Sequence, residues 1–291
     1  MRNINEHTIT DAVLASLEHC GDARLKHVLG ALVRHLHDFA REVELTEAEW
    51  EAGIRFLTAT GQMCDDKRQE FILLSDTLGL STLTVAQNHP VSAQATEATV
   101  FGPFYVEGAP QLPQGADISG GAAGEPLHVR ASVRGPGGEP VANATVNVWQ
   151  ADADGLYDVQ RGGLPHAQGR ATLRTDEQGR LAFRSVLPVA YPIPTDGPVG
   201  AMLGALKRHP WRPAHVHFMI EAPGYQTLIT HVFRDGDAYL DSDAVFGVRS
   251  SLIGDFRAHP AGSPAPDGSL PAQAFHTLDF AFVLEPVSAG S

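Results

Sequence analysis

The chain has 291 residues, 43% of them hydrophobic, enough to bury a sizeable core as one large domain or two modest ones. Its 29 Gly and 20 Pro make it rich in turns but follow no period, which excludes collagen-like and low-complexity architectures. Lys and Arg number 21 against 34 Asp and Glu, a formal charge of -13, and no basic cluster stands ready to neutralise phosphates, so nucleic acid is excluded as the main partner.

Residues Met1–Thr10 alternate polar and apolar and lack the apolar run of a signal peptide, and no run anywhere is long enough to span a bilayer. A cytoplasmic protein without membrane insertion is expected. Neither Cys20 nor Cys64 has a CxxC partner or a His at zinc-ligand spacing, so a disulfide scaffold and a thiolate metal site are not expected.

The helical period comes first. Leu25, Val28, Leu29, Leu32, Val33, Leu36 and Phe39 recur at three- and four-residue steps and form one apolar stripe. A second helix opens at Leu45-Thr46-Glu47-Ala48-Glu49-Trp50, where Thr46 and Glu49 have capping-box spacing and Leu45 and Trp50 that of a hydrophobic staple. A third is predicted from about Asp65 through Leu80. After residue 95 short strand-like runs follow, divided by Gly, Pro and Asp: Leu127–Val133, Thr145–Gln150, Leu181–Val186, His215–Ile220, Thr227–Phe233 and Phe275–Leu284, with one short helix near Gly200–Lys207. The predicted architecture is mostly β with an α-helical N-terminal layer over 1–95 and an antiparallel β-sandwich over 96–291.

Two H-x-H pairs occur, where chance alone yields roughly 0.7 in a chain this rich in His. His35 and His37 fall in the helical stripe, where residues two apart point to opposite sides and cannot share an ion. His215 and His217, in Arg212-Pro213-Ala214-His215-Val216-His217-Phe218, read as a strand, in which i and i+2 share a face. They can hold one metal or be two partly buried histidines donating to carbonyls. Further donors are needed for a metal, and Asp152, Asp154 and Asp158 are acidic candidates that could equally cap turns. Two of the 5 Tyr sit in loops, Tyr157 in Asp154-Gly155-Leu156-Tyr157 and Tyr191 in Tyr191-Pro192-Ile193-Pro194.

Taken in order, Thr96-Glu97-Ala98-Thr99-Val100-Phe101-Gly102-Pro103-Phe104, the Gly155-Leu156-Tyr157 turn, Tyr191-Pro192-Ile193-Pro194 and Arg212-Pro213-Ala214-His215-Val216-His217 resemble the intradiol ring-cleavage dioxygenases, non-haem iron(III) enzymes of aromatic catabolism. The stretch from Asp235-Gly236-Asp237 through Phe246-Gly247-Val248-Arg249 and the Phe-Gly-Pro-Phe run are most similar to the hydroxyquinol-cleaving branch. The resemblance implies a catalytic sandwich and a helical dimerisation domain, with Fe(III) held by Tyr157, Tyr191, His215 and His217. Two phenolates and two imidazoles suit a hard trivalent ion better than zinc.

The resemblance further implies that the ring diol chelates the ion, Tyr191 leaves it with one proton, and Arg212 stabilises negative charge on the ring, where a surface ion pair is the alternative for that residue. His231 would support the ligands, at a place where catechol-cleaving relatives carry Gln. The pocket would be lined by Leu73, Asp76, Val100, Phe101, Gly102, Pro103, Phe104, Ile193, Pro194, Arg212 and Val245. Asp76 would accept a hydrogen bond from the third hydroxyl of benzene-1,2,4-triol, with a helix-end cap or contact with water as the alternative for that residue, and the product would be 3-hydroxy-cis,cis-muconate or maleylacetate. A homodimer through the N-terminal helices, with a phospholipid at its interface, is also implied. The competing readings are catechol or chlorocatechol cleavage, a metal-free transthyretin-like binding module suggested by Pro140–Trp149 and Thr175–Phe183, and a zinc hydrolase, for which no H-E-x-x-H signature is found.

Overall fold

Helices open the chain and strands fill most of the rest in a computed structural model that describes residues 2–65, 68–89, 92 and 94–287. These divide into two compact units, one ending at Ala59 and the other beginning at Thr60. The first holds α1 (Ile9–Ser16), α2 (Ala23–Glu42) and most of α3 (Glu47–Gln62). Asp22 caps α2 by accepting from the Leu25 N–H at 2.9 Å. At the start of α3 the predicted capping box is present: the Glu49 N–H donates to Thr46 Oγ1 at 3.3 Å, and Glu49 Oε2 accepts from the Thr46 N–H at 3.0 Å. Helix α1 buries no residue of its own, and Arg41 ties down its Thr10 Oγ1 at 2.7 Å and the preceding Glu6 carbonyl at 2.9 Å. Apart from the half-buried Val33, the apolar stripe on α2 remains exposed, from 37% at Leu29 to 54% at Leu36.

In the second unit the predicted helix over Asp65–Leu80 is instead two, α4 (Glu70–Thr77) and α5 (Leu80–Asn88). Asp66 and Lys67 lie outside the described residues. Gly79, at φ +76°, makes the break: its N–H and that of Leu78 take the last carbonyls of α4, a stop that a Cβ would strain. Helix α6 (Pro198–Ala205) starts two residues before the predicted Gly200, with Pro198 at its first position, where a missing N–H costs nothing.

The strands are β1 (Pro126–Arg134), β2 (Thr145–Gln150), β3 (Arg170–Arg174), β4 (Arg180–Val186), β5 (Tyr191–Pro192), β6 (Trp211–Arg212), β7 (His215–Glu221), β8 (Leu228–Arg234), β9 (Ile253–Gly254), β10 (Arg257–His259) and β11 (Phe275–Val283). They form a four-stranded sheet in the order β10-β11-β1-β4, a five-stranded sheet in the order β3-β2-β7-β8-β9, and the ribbon β5-β6. One apolar cluster unites the facing sides of the two larger sheets, with Leu127, Phe183 and Phe282 from the first and Val148, Phe218 and Val232 from the second.

The expectation of a wholly antiparallel sandwich is corrected in two places, because β1–β11 and β8–β9 pair in parallel. Both pairs join strands linked by long connections, and alternation in a strand carries no information on the direction of a distant neighbour. Strand β3 was missed because its inward residues are only Ala171 and Leu173 between polar neighbours.

Strands β7 and β8 turn about Gly224, at φ +84°, so residues equally distant from it face each other: His215 opposite Phe233, and His217 opposite His231. No helix among the described residues is long and apolar enough to cross a membrane.

Gly179, at φ +70°, is a position where only glycine fits, since a Cβ there would lie 2.4 Å from the Val133 carbonyl oxygen. Gly179→Ala should lower unfolding stability by about 2 kcal/mol or more, measured by denaturant titration, through the left-handed backbone and the forced retreat of β1.

Candidate metal centre

Alternation along β7 divides its residues cleanly. Val216, Phe218 and Ile220 enter the core between the sheets, which leaves His215 and His217 together on the other face of the five-stranded sheet. There the His215 and His217 Nε2 atoms are 3.1 Å apart. Tyr157 Oη lies 2.8 Å from His217 Nε2 and 3.3 Å from Tyr191 Oη. The four side chains singled out as ligands thus converge, and all are buried.

Each is aimed by its surroundings. The His215 Nδ1–H donates to the Pro213 carbonyl at 2.7 Å, which fixes the tautomer and leaves the Nε2 lone pair facing inward. Trp149, opposite His217 on β2, stacks on its ring at 4.6 Å. Tyr191 is paired with Arg212 across the β5-β6 ribbon. Tyr157 ends a loop built by the three acidic residues that were open as metal donors. Asp152 accepts from the Asp154 and Leu156 N–H groups at 2.9 and 3.1 Å and from Arg161 Nε at 2.7 Å. Asp154 also pairs with Arg161, and Asp158 pairs with Arg170. Their carboxylates are spent on turns and ion pairs, so the donor reading is overturned for all three. His37 Nδ1 meets Thr10 Oγ1 at 2.9 Å, in keeping with a non-ligand pair on α2.

His231 joins this group more intimately than expected. Its ring stands edge-on to His217 at 4.2 Å, its Nδ1 meets Thr99 Oγ1 at 2.9 Å, and donor atoms of His215, His217 and His231 all lie within 4.8 Å of one another. The hairpin centred on Gly224 was the available signal for this register.

The donors fit a metal ion. Burial, followed by the positive charge of Arg212, pushes His215 down to about 3, and burial lowers His217 and His231 as well, so the imidazoles are neutral and keep lone pairs for coordination. Burial pushes the Tyr157 phenol well above its ordinary range, and such a group ionises only where a cation takes up the charge. His231 Nε2 is buried with no hydrogen-bond partner.

Arg212 carries a buried ion pair rather than a surface one. Its Nε and Nη2 lie 3.1 and 3.3 Å from the two carboxylate oxygens of Asp243, a partner that sequence reasoning passed over inside the Asp-Ser-Asp stretch. Burial opposes the charge on each, but their mutual attraction, with the Gly247 N–H on Asp243, outweighs it and keeps both ionised.

Of the residues expected to line the pocket, Leu73, Pro103, Phe104 and Pro194 share a cavity of about 180 Å³ with Arg68, Gln69, Glu70 and Gln160. Phe104 stacks on Tyr157 at 4.3 Å. Asp76, Val100, Phe101, Gly102, Ile193, Arg212 and Val245 do not line that cavity. Gly102 approaches His217, where a Cβ would lie 3.4 Å from Cε1, and Phe101 is 38% exposed, tilted against Tyr105. Asp76 is buried; burial raises its carboxyl, while the Ser81 hydroxyl and the Arg212 charge partly offset this.

Comparison with known proteins agrees across the chain. Residues 22–96 match the family model described as catechol dioxygenase N terminus, and residues 100–286 match the one described as dioxygenase. The chain is 60% identical to a 6-chlorohydroxyquinol 1,2-dioxygenase of Cupriavidus pinatubonensis, over 98% of this chain and 99% of that one. It is 51% identical to a hydroxyquinol 1,2-dioxygenase of Nocardioides simplex, over 97% and 96%. Its fold superposes on the crystal structure of hydroxyquinol 1,2-dioxygenase from Pseudomonas putida with a TM-score of 0.90 at 49% identity, covering 97% and 99% of the two chains.

The low value at His215 gives a stability prediction for metal-free protein. An unfolded-chain His takes up its proton near 6.5, whereas folded His215 resists until about 3. The unfolded state therefore binds more protons in that window, and stability should fall as pH drops from 6.5 towards 3. The thermal midpoint of His215→Gln, measured over the same range, should fall less steeply; parallel profiles would count against it.

Proposed function

Because the chain belongs to the intradiol ring-cleavage dioxygenases, we propose that it cleaves benzene-1,2,4-triol with dioxygen between the two adjacent hydroxyl-bearing carbons, at a ferric ion held by Tyr157, Tyr191, His215 and His217. The observation that carries this reading is the convergence of two buried phenols and two neutral imidazoles, with a guanidinium beside one of the phenols. The names of its relatives support the substrate. When bound, the ferric ion supplies a template for the diol oxygens and the Lewis acidity that opens the ring to attack.

The protein residues divide the remaining work. Tyr191, as the phenolate that a bound ion would favour, would take a proton from the incoming diol on Oη. Arg212, with Nη1 3.5 Å from that oxygen, stabilises negative charge that develops on the ring. Phe104, stacked on Tyr157, with Leu73, Pro103 and Pro194, excludes water from one side. Asp76, a buried carboxyl that already faces the Ser81 hydroxyl, would accept a further hydrogen bond from the third hydroxyl of the triol. His231, tied to Thr99, steadies the His217 ring.

The segment over 1–95 forms the dimer contact, since the exposed stripe on α2 is more apolar surface than a monomer leaves to water, and a phospholipid chain could share its cover. The protein works in the cytoplasm. Light scattering should give about twice the 31.1 kDa chain mass.

The purified iron-loaded protein should be wine-red from tyrosinate-to-iron charge transfer, and colourless protein that stays inactive after iron loading would defeat the reading. Tyr191→Phe should retain some iron, change colour and turn over slowly. Discrimination rests on Asp76: kcat/KM for benzene-1,2,4-triol should exceed that for catechol by up to about 10⁴-fold. Asp76→Ala should narrow the gap by weakening the triol.

A further inference from the structure

Of the three guanidinium nitrogens of Arg212, only one faces the converging donors. Asp243 occupies the opposite edge, with Oδ1 3.1 Å from Nε and Oδ2 3.3 Å from Nη2. Nη1 is left over, and Nη1 is the atom that stands 3.5 Å from Tyr191 Oη and 3.4 Å from His215 Nε2. A guanidinium is a rigid plane, so gripping the Nε–Nη2 edge sets the direction of the remaining nitrogen. An end-on grip on Nη1 and Nη2 would have taken it away from Tyr191.

The carboxylate is itself pinned. Its Oδ1 accepts from the Val245 N–H at 3.3 Å and its Oδ2 from the Gly247 N–H at 2.9 Å. Side-chain exposure is 3% for Arg212 and 2% for Asp243, so water has no room to replace either partner. A Cβ on Gly247 would lie 3.1 Å from both Arg212 Nη2 and Asp243 Oδ2, which explains a glycine at a position that needs no unusual backbone angle.

We infer that Asp243 is a positioning residue for ring cleavage, whose side-on grip aims Arg212 Nη1 at the Tyr191 oxygen. The inference rests on the roles proposed above for Tyr191 and Arg212. Asp243 acts through the guanidinium: with the edge held, Nη1 is in place before charge appears on the phenol oxygen or the ring, and no reorientation is needed at that moment. A merely structural pair would neutralise Arg212 equally well in any orientation.

Asp243→Asn in the iron-loaded enzyme tests this. The carboxamide is close in shape, but its NH2 must face two donors, either Nη2 and the Gly247 N–H or Nε and the Val245 N–H, so one edge of the grip is lost. With benzene-1,2,4-triol, kcat should fall by about 10- to 100-fold while KM stays within about threefold. The charge-transfer band should move to longer wavelength, because the Tyr191 oxygen loses its donor. In an Arg212→Gln background the same substitution should change kcat by less than about twofold.

Removing one partner of a buried pair can prevent folding, so Gly247→Ala is the companion variant. It keeps both charges and wedges the grip apart, and it should show a smaller loss of kcat and the same direction of band shift. A folded Asp243→Asn or Gly247→Ala enzyme with unchanged kcat and spectrum would overturn the inference. So would a loss confined to KM, or an undiminished effect in the Arg212→Gln background. An Arg212→Gln enzyme with the wild-type rate would instead overturn the role of Arg212 on which the inference rests.

Discussion

The site exists only while β7 keeps its register. Its core-facing residues, Val216, Phe218 and Ile220, interlock with Val146 and Val148 of β2 and with Val232 of β8, and that apolar match holds the strand in place. A slip of one residue would drive both imidazoles into the apolar core and turn Val216 towards the phenols, at the cost of burying unpaired polar rings. Neighbouring strands then deliver Trp149 and His231 to the same face by ladder geometry alone. Hydrophobic packing on one side of the sheet therefore determines the chemistry on the other.

That face is buried, and burial sets its electrostatics. Three imidazoles are held neutral and a phenol is held protonated, so the cluster carries little charge of its own apart from the Arg212–Asp243 pair. The neutral imidazoles keep lone pairs that a multivalent cation would share, and such an ion would favour ionisation of the Tyr157 phenol. The same burial makes the direction of a single guanidinium nitrogen matter, since bulk solvent screens it little.

Much of this was legible in the residues. The H-x-H alternation placed two imidazoles on one face, the helical period marked α2, and the Thr46/Glu49 spacing marked the start of α3. The loop tyrosines were weak signals singly and became informative only as motifs in a fixed order. What stayed hidden depends on contacts between distant segments. The parallel partnership of β1 with β11 joins residues some 149 apart along the chain, as Arg130 and Asp279 illustrate, and no local pattern encodes it. Asp152, Asp154 and Asp158 could not be told from metal donors because a carboxylate near a turn looks the same whether it caps an N–H or binds an ion. Asp243 was invisible for the reverse reason, an acid in an acidic stretch whose partner lies 31 residues away.

The cavity wall and the converging donors have separate origins. The donors come from β7, the β5-β6 ribbon and the loop before residue 160, whereas Leu73, which lines the cavity beside Phe104, comes from α4. Helix α4 contributes no donor to the cluster, so a change of side-chain volume at Leu73 would reshape the cavity without removing any atom that would hold an ion. Space and coordination are thereby separable in this fold, each carried by a different piece of chain.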